Sequence, residues 1–167
     1  MKRILIRGLI ALVALVALAG LIGLTLDPMV HADISVDIAS PPEKVYALIA
    51  DIESLPKWSS EPAMQLERVS EQPRKYKVKI SGMESTWEVI EEQPARLFRS
   101  RMESHTMGIS GDWRTAIQPL GGSGSQIHHQ VAMRFGNPWM RVMGHVMDMN
   151  KEEAKTLGEL KRYLEAH

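Results

Sequence analysis

The chain contains no cysteine among its 167 residues. Disulfide bridges, thiolate nucleophiles and cysteine-ligated metal centres are therefore excluded. The sequence also lacks a glycine-rich phosphate loop, a G-x-S-x-G nucleophile elbow and an H-E-x-x-H zinc motif. His128 and His129 are neighbours on a predicted strand and point to opposite faces, and His145 with Asp148 supplies only two ligands. We therefore predict neither a metal site nor a bound cofactor.

A positive charge excess is missing from the part of the chain that can fold. All 20 acidic residues follow residue 26, whereas three of the 20 basic residues precede it. The remainder, with 17 basic against 20 acidic residues, carries a net charge of −3. Because nucleic acids and anionic lipid surfaces require basic partners, this balance argues against a nucleic-acid partner and against electrostatic attachment of the domain to a membrane.

One long hydrophobic run stands out near the N-terminus. Residues 8–26 form 19 uncharged positions dominated by Leu, Ala, Ile and Val, and Lys2, Arg3 and Arg7 come before them. This length spans a hydrocarbon layer of about 30 Å. The basic residues place the N-terminus in the cytoplasm and the rest of the chain on the periplasmic or extracellular side. The alternative is a secretory signal cut near Val30-His31-Ala32, which would release a secreted or periplasmic protein.

The segment after this run predicts a strand, a turn and a helix. Ile34, Val36 and Ile38 alternate with small or polar residues, as in a half-buried strand. Ser40 is the expected N-cap of a helix that begins at Pro41 or Pro42. We divide the chain into an N-terminal anchor or uncleaved signal (1–27), a linker (28–32) and a domain (33–167).

The start of the predicted helix and the residues after it resemble a known protein family. Ala39-Ser40-Pro41-Pro42-Glu43-Lys44-Val45-Tyr46, then Asp51, then Pro56-Lys57-Trp58, is similar to the opening of the START/polyketide-cyclase-like superfamily, also called SRPBCC. The resemblance covers about residues 33–167, and the N-terminal 26 residues depart from its soluble members. It implies a helix-grip fold with a hollow between sheet and helix. It implies no particular activity, because the superfamily includes lipid carriers, cyclases and hydrolase activators.

The rest of the chain predicts an α+β architecture. From Met64 to Phe135, alternating segments separated by Gly and Pro turns indicate an antiparallel meander, which gives about seven strands with the first one. From Pro138 to about Glu165, apolar residues at three-and-four spacing predict one long helix across the curved sheet. Its apolar stripe runs through Met140, Met143, Met147, Asn150, Ala154, Leu157 and Leu164. Glu153 is assigned to the solvent face.

The predicted inward positions define a candidate ligand-binding lining. Tryptophans and flexible methionines suit an apolar wall that must fit varied shapes, and a few polar groups could orient a ligand. These positions are Trp87, Phe98, Trp113, Thr115, His129, Met133, Met143, Met147 and Asn150. Each of them could equally be an ordinary core residue. We assign no catalytic residue, because no inward carboxylate is predicted to accompany His129.

Three functional hypotheses follow. The first is a membrane-tethered module that binds or transports a hydrophobic small molecule or a lipid, with residues 8–26 in the membrane. The second is a cyclase- or hydrolase-type enzyme that uses His129, which requires a carboxylate or Tyr within hydrogen-bond distance of that ring. The third is a ligand-free envelope adaptor, which predicts a filled interior and an exposed apolar patch.

Overall fold

The structure, a computed structural model, describes residues 2–60, 64–80, 82–104 and 106–166, with side chains from residue 6 onward. Seven antiparallel strands form one sheet in the order β1-β7-β6-β5-β4-β3-β2, as the strand pattern predicts. The strands are β1 (Met29–Ile38), β2 (Met64–Glu71), β3 (Arg74–Ile80), β4 (Met83–Gln93), β5 (Leu97–Ser104), β6 (Ile109–Leu120) and β7 (Gly124–Phe135).

Five α-helices accompany the sheet in the described residues. The first is the apolar α1, and two short helices joined by a 3-10 turn (Ile52–Ser54) follow β1. The last two come after β7. Their bounds are α1 (Lys2–Thr25), α2 (Pro42–Ala50), α3 (Leu55–Trp58), α4 (Pro138–Val146) and α5 (Met149–Ala166). The N-cap of α2 is Pro41, not Ser40, whose carbonyl instead accepts a hydrogen bond from the Ser125 hydroxyl.

The domain begins earlier than the sequence pattern indicates. β1 starts at Met29, so residues 29–32 belong to the sheet and not to a linker. Met29 lies opposite Arg134 and Ile38 lies opposite Ser125, which makes β1 the edge strand beside the last strand of the meander. Ala32 is buried. The link between α1 and the sheet is therefore only the few residues between Thr25 and Met29.

The C-terminal helix is broken. Met147 has an extended backbone conformation and ends α4, and a second helix starts at Met149. The Asp148 carboxylate accepts a hydrogen bond from the Lys151 N–H (3.1 Å), which is the geometry of an N-cap. The prediction of one helix from 138 to 165 is therefore wrong. The break changes the helical phase, so the two halves present different faces to the sheet.

The concave face of the sheet and one face of α5 form the core. Ile38, Val45, Ile117 and Ile127 pack against Leu157 and Leu160 from α5. A second cluster around Tyr76, Val78 and Phe98 lies under α2. Because successive strand residues point to opposite faces, the alternation read from the sequence places the inward residues of β3 to β7 correctly.

α1 is the one helix in the described chain that is long and apolar enough to cross a membrane. Its segment Ile6–Thr25 has 20 residues and a mean hydropathy of 2.5, and 6% of it is buried. Only its last turns touch the domain. A Cβ on Gly23 would overlap the Pro138 carbonyl, and one on Gly20 would lie 2.9 Å from the Trp139 ring. These two glycines let α1 and α4 approach closely.

Candidate functional site

A cavity of about 270 Å³ lies between the sheet and α5. The sheet contributes one wall, α5 another, and the end of α2 with α3 a third. Most of the lining is apolar. The residues that line it are Ile49, Asp51, Ile52, Leu55, Trp58, Met64, Ile80, Trp87, Phe98, Ser100, Trp113, Thr115, His129, Glu153, Thr156, Leu157 and Leu160.

Five of the nine predicted lining residues do surround this cavity. Trp87 and Trp113 stack, with ring centroids 5.7 Å apart, and Phe98, Thr115 and His129 join them. All five lie on neighbouring strands of the sheet. They come together because the predicted strand phases are correct.

The other four predicted residues do not line the cavity. Met133 packs instead with Ala32, Val131 and Met149 in a separate cluster. Met143 and Met147 are exposed, because the helix that carries them ends before the cavity. Asn150 is exposed as well, and its side-chain oxygen accepts a hydrogen bond from the Asp33 N–H (3.1 Å).

Glu153 is the cavity residue that the sequence pattern misplaces. Glu153 lies four residues before the buried Leu157, so it shares the inward face of α5, and its side chain is only 15% exposed. One carboxylate oxygen lies 3.3 Å from His129 Nε2, and the other accepts a hydrogen bond from the Trp113 indole N–H (3.4 Å). Two signals in the sequence indicate this arrangement: the spacing of four between Glu153 and Leu157, and Asp148, a residue type that favours the N-cap of a new helix.

The partners of His129 determine its tautomer. An ionised carboxylate only accepts hydrogen bonds, so the proton of a neutral ring lies on Nε2 and points to Glu153. Nδ1 then accepts from the Thr115 hydroxyl, 2.8 Å away. Both ring nitrogens are occupied. The Glu153 carboxylate, in contrast, has room for about four hydrogen bonds and receives two from Trp113 and His129.

Two more groups bear on the polarity of the cavity. The indole N–H of Trp58 is buried and has no hydrogen-bond partner among the described residues. Among the residues that the structure describes, no Lys or Arg lines the cavity, whereas Asp51 and Glu153 do. The described lining therefore offers carboxylate acceptors in an apolar surrounding, without a fixed cation.

The segment after α3 is fastened to α5. Glu159 accepts hydrogen bonds from both the N–H and the hydroxyl of Ser60, two residues after Trp58. These bonds lower the pKa of the Glu159 carboxyl below its usual value. The fastening is thus complete at neutral pH and weakens as the pH falls through that lowered pKa, when the carboxylate gains a proton.

Comparisons with known proteins agree with this architecture. The family model described as "Polyketide cyclase / dehydrase and lipid transport" matches residues 29–165. No curated protein sequence matches the chain.

Solved structures share the fold at low sequence identity. Norcoclaurine synthase from Thalictrum flavum, in complex with dopamine and hydroxybenzaldehyde, has a TM-score of 0.65 at 10% identity, over 88% of this chain and 92% of that chain. The ZhuI aromatase/cyclase from Streptomyces sp. R1128 has a TM-score of 0.65 at 13% identity, over 82% and 94%. A conserved protein from Geobacillus kaustophilus has a TM-score of 0.65 at 14% identity, over 82% and 96%.

Because Glu153 accepts hydrogen bonds inside the cavity and Glu152 is exposed, we expect substitution of Glu153 to lower the free energy of unfolding more than substitution of Glu152. Glu153→Leu leaves the Trp113 N–H and the His129 ring without their acceptor, which costs about 1–3 kcal/mol for buried polar groups. Glu152→Leu, the matched control on the exposed neighbour, changes the free energy of unfolding by less than about 0.5 kcal/mol. Urea unfolding of the detergent-solubilised chain, followed by tryptophan fluorescence, measures both. Equal losses in the two variants would contradict the assigned contacts.

Proposed function

Because the chain belongs to the polyketide cyclase/dehydrase and lipid transport family, we propose that it binds a small hydrophobic molecule with a hydroxyl group in the cavity under α5, tethered to a membrane by α1. The observation that carries the proposal is the composition of the cavity: an apolar wall with a carboxylate acceptor, Glu153. Such a lining takes up an apolar body and orients it through one or two polar atoms.

The size of the cavity limits the ligand. Its 270 Å³ lies just below the roughly 300–1,000 Å³ of pockets for drug-sized molecules. A fused two-ring compound or a short single chain suits this volume, and a two-chain phospholipid is too large to be enclosed. A lipid as ligand would therefore place only part of one chain in the cavity. The unfilled space also disfavours the ligand-free adaptor, which requires a closed core.

Charge limits the ligand further. Asp51 and Glu153 repel an anion, and no Lys or Arg among the described lining residues compensates. A fatty-acid carboxylate or a phosphate is thus disfavoured inside, whereas a neutral hydroxyl can donate to Glu153. Dopamine and hydroxybenzaldehyde, present in the similar norcoclaurine synthase structure, are small aromatic molecules that carry hydroxyl groups.

The structure also supports retention of α1 as an anchor over its removal as a signal. Cleavage after Ala32 would remove Met29 to Ala32, which pair with Arg134 to Val131 in the sheet. It would also remove the Pro28 carbonyl that accepts from the Phe135 N–H (2.8 Å). Loss of these contacts costs the domain part of its edge strand. In the proposed arrangement the N-terminus is cytoplasmic and the domain lies on the periplasmic or extracellular side.

The contact between Glu153 and His129 favours a second candidate function, an enzyme of the cyclase type. Glu153 has unused acceptor capacity, whereas both ring nitrogens of His129 are occupied, so Glu153 is the group of the pair with a site open to a proton. It would take a proton from a carbon next to a carbonyl. The resulting enolate would attack a second carbonyl of the same molecule, and the protonated Glu153 would return its proton to the new alkoxide.

The binding proposal predicts that the cavity distinguishes 2-naphthol from naphthalene. The hydroxyl adds one net hydrogen bond of about 0.5–1.5 kcal/mol, so 2-naphthol binds roughly 2- to 12-fold more tightly. Titrating each compound with the full chain and following its fluorescence gives the two dissociation constants, and hence their ratio. Glu153→Leu brings the ratio toward one, and Glu152→Leu leaves it unchanged.

A second pair of variants tests where the ligand binds. Thr156→Trp, which fills the cavity, abolishes binding of both compounds, whereas Lys155→Trp on the exposed face does not. Undiminished binding to Thr156→Trp would locate the ligand elsewhere.

The tether proposal predicts that the membrane fraction contains the uncleaved chain. Intact mass measured after detergent extraction should include residues 1–32. The protein should resist alkaline carbonate extraction, because a span of this hydropathy holds it in the bilayer. A mature chain beginning after Ala32 in the soluble fraction would overturn the anchor and leave the ligand proposal standing.

The enzyme candidate predicts proton exchange on a small diketone. In deuterated buffer, heptane-2,6-dione should exchange the hydrogens next to its carbonyls faster with the protein than without it, as followed by NMR. Glu153→Gln keeps the hydrogen-bonding shape but removes the base, and should lower the protein-dependent rate by a factor of about 10² or more. Glu152→Gln is the matched control. A rate unaffected by Glu153→Gln removes this candidate.

A further inference from the structure

α4 carries an apolar face that the domain leaves uncovered. Three of its side chains, at spacings of four and three, share this face and are largely exposed: Trp139 (41%), Met143 (53%) and Val146 (76%). Met147, the exposed residue directly after the helix (48%), extends the apolar surface. The opposite side of α4 packs on the domain, where Gly144 lies against the Phe135 ring. A soluble domain rarely leaves so many large apolar side chains together in water.

The contact with α1 sets the position of this face along the apolar segment. Trp139 lies against Gly20 and Pro138 lies against Gly23. Gly20 is five residues before Thr25, the end of the apolar segment, which is about 7.5 Å at 1.5 Å per residue. The other end of α4 lies level with the end of α1, since His145 Nε2 is 2.9 Å from the Asp27 carbonyl oxygen.

We infer that α4 is an interfacial helix, which inserts its apolar face into the outer leaflet of the same bilayer that α1 spans. This inference rests on the proposed tether. The 20 residues of the apolar segment match the thickness of the hydrocarbon layer, so Thr25 lies near its boundary. Trp139 then lies about 7.5 Å inside, within the roughly 5–10 Å depth at which amphipathic helices bury their apolar face. His145 lies at the boundary, so α4 enters the leaflet obliquely, with its N-terminal end deepest.

The polar groups of α4 fit this placement. The Arg141 guanidinium turns toward the domain and donates to the carbonyls of Phe135 (3.0 Å) and Gly136 (3.3 Å). His145 faces the Asp27 carbonyl at the boundary. Trp139 has the amphipathic ring that favours the membrane interface. No basic side chain lies on the apolar face, so insertion requires no anionic lipid.

The consequence is a fixed orientation of the domain. A span alone leaves the domain free to rotate about a short link, whereas a span with an adjacent inserted helix makes two attachments to one bilayer. β1 and β7, which directly follow α1 and precede α4, would then begin and end at the membrane surface. The hairpin loop between β6 and β7, at the opposite end of β7, would point away from it.

The absence of cysteine allows a direct test by site-specific labelling. Single cysteines at Met143 and Val146 carry an environment-sensitive fluorophore, and the full chain is reconstituted in phosphatidylcholine vesicles with nitroxide-labelled acyl chains. Ser123→Cys, on the exposed β6–β7 loop, is the water-exposed control, and Leu15→Cys in the middle of α1 reports the span itself. We expect the fluorophores at positions 143 and 146 to emit at shorter wavelength in vesicles. A nitroxide on the acyl chain near the headgroup should quench most of their fluorescence, whereas the fluorophore at position 123 should show neither effect.

The outcomes separate the two proposals. If the label at position 15 is quenched by a nitroxide at the chain centre while those at 143 and 146 behave like 123, the interfacial helix is wrong and the tether stands. If position 15 is also in water, the tether fails, and the inference fails with it. A third outcome is that the fluorophores at 143 and 146 are shielded from water but not quenched by the nitroxides, and that the chain cross-links as a dimer. This result would assign the apolar face to a second copy of the chain and overturn the inference.

Discussion

The pairing of the first strand with the last is the interaction on which the rest of the structure depends. β1 and β7 join from Met29 opposite Arg134 to Ile38 opposite Ser125. This pairing brings residues that are about a hundred positions apart into register. It places α1 beside α4 at one end of the two strands, and α2 under the core at the other. This one pairing therefore sets the positions of α1, α2 and α4 relative to the sheet.

The same pairing provides the surface on which α5 lies. α5 packs on the concave face through Leu157 and Leu160, close to Ile38 and Ile127. Toward β4 and β5 the helix and the sheet diverge, and the space between them stays open as the cavity. The helix therefore covers the sheet without filling it. What remains is an apolar enclosure with a few polar groups on its walls, the usual form of a small-molecule site.

Polar groups inside that enclosure form one connected set. Thr115, His129, Glu153 and Trp113 contact one another in sequence, from β6 to β7 to α5 and back to β6. In a low-dielectric surrounding such a set is stable only when nearly every donor and acceptor has a partner. The unpartnered indole of Trp58 is the exception. In the proposed function, a ligand hydroxyl would occupy the acceptor capacity that remains on Glu153.

Much of this molecule is determined by the sequence alone. Alternation of apolar and polar residues fixes which face of each strand is buried, because the side-chain period of a strand is two and does not depend on what packs against it. For this reason Trp87, Phe98, Trp113, Thr115 and His129 could be placed on the cavity side without coordinates. The apolar run of residues 8–26 is likewise evident from composition.

The tertiary structure decided what α4 and α5 do. A helix of period 3.6 loses its phase at any break, and the break at Met147 and Asp148 keeps Met143 and Met147 away from the cavity. Glu153 faces the cavity because it shares a face of α5 with Leu157. The sequence shows amphipathic helices in this region, but the direction of each face depends on where the sheet ends and on the glycines that let α1 meet α4. Those are properties of packing between distant segments, which no local pattern contains.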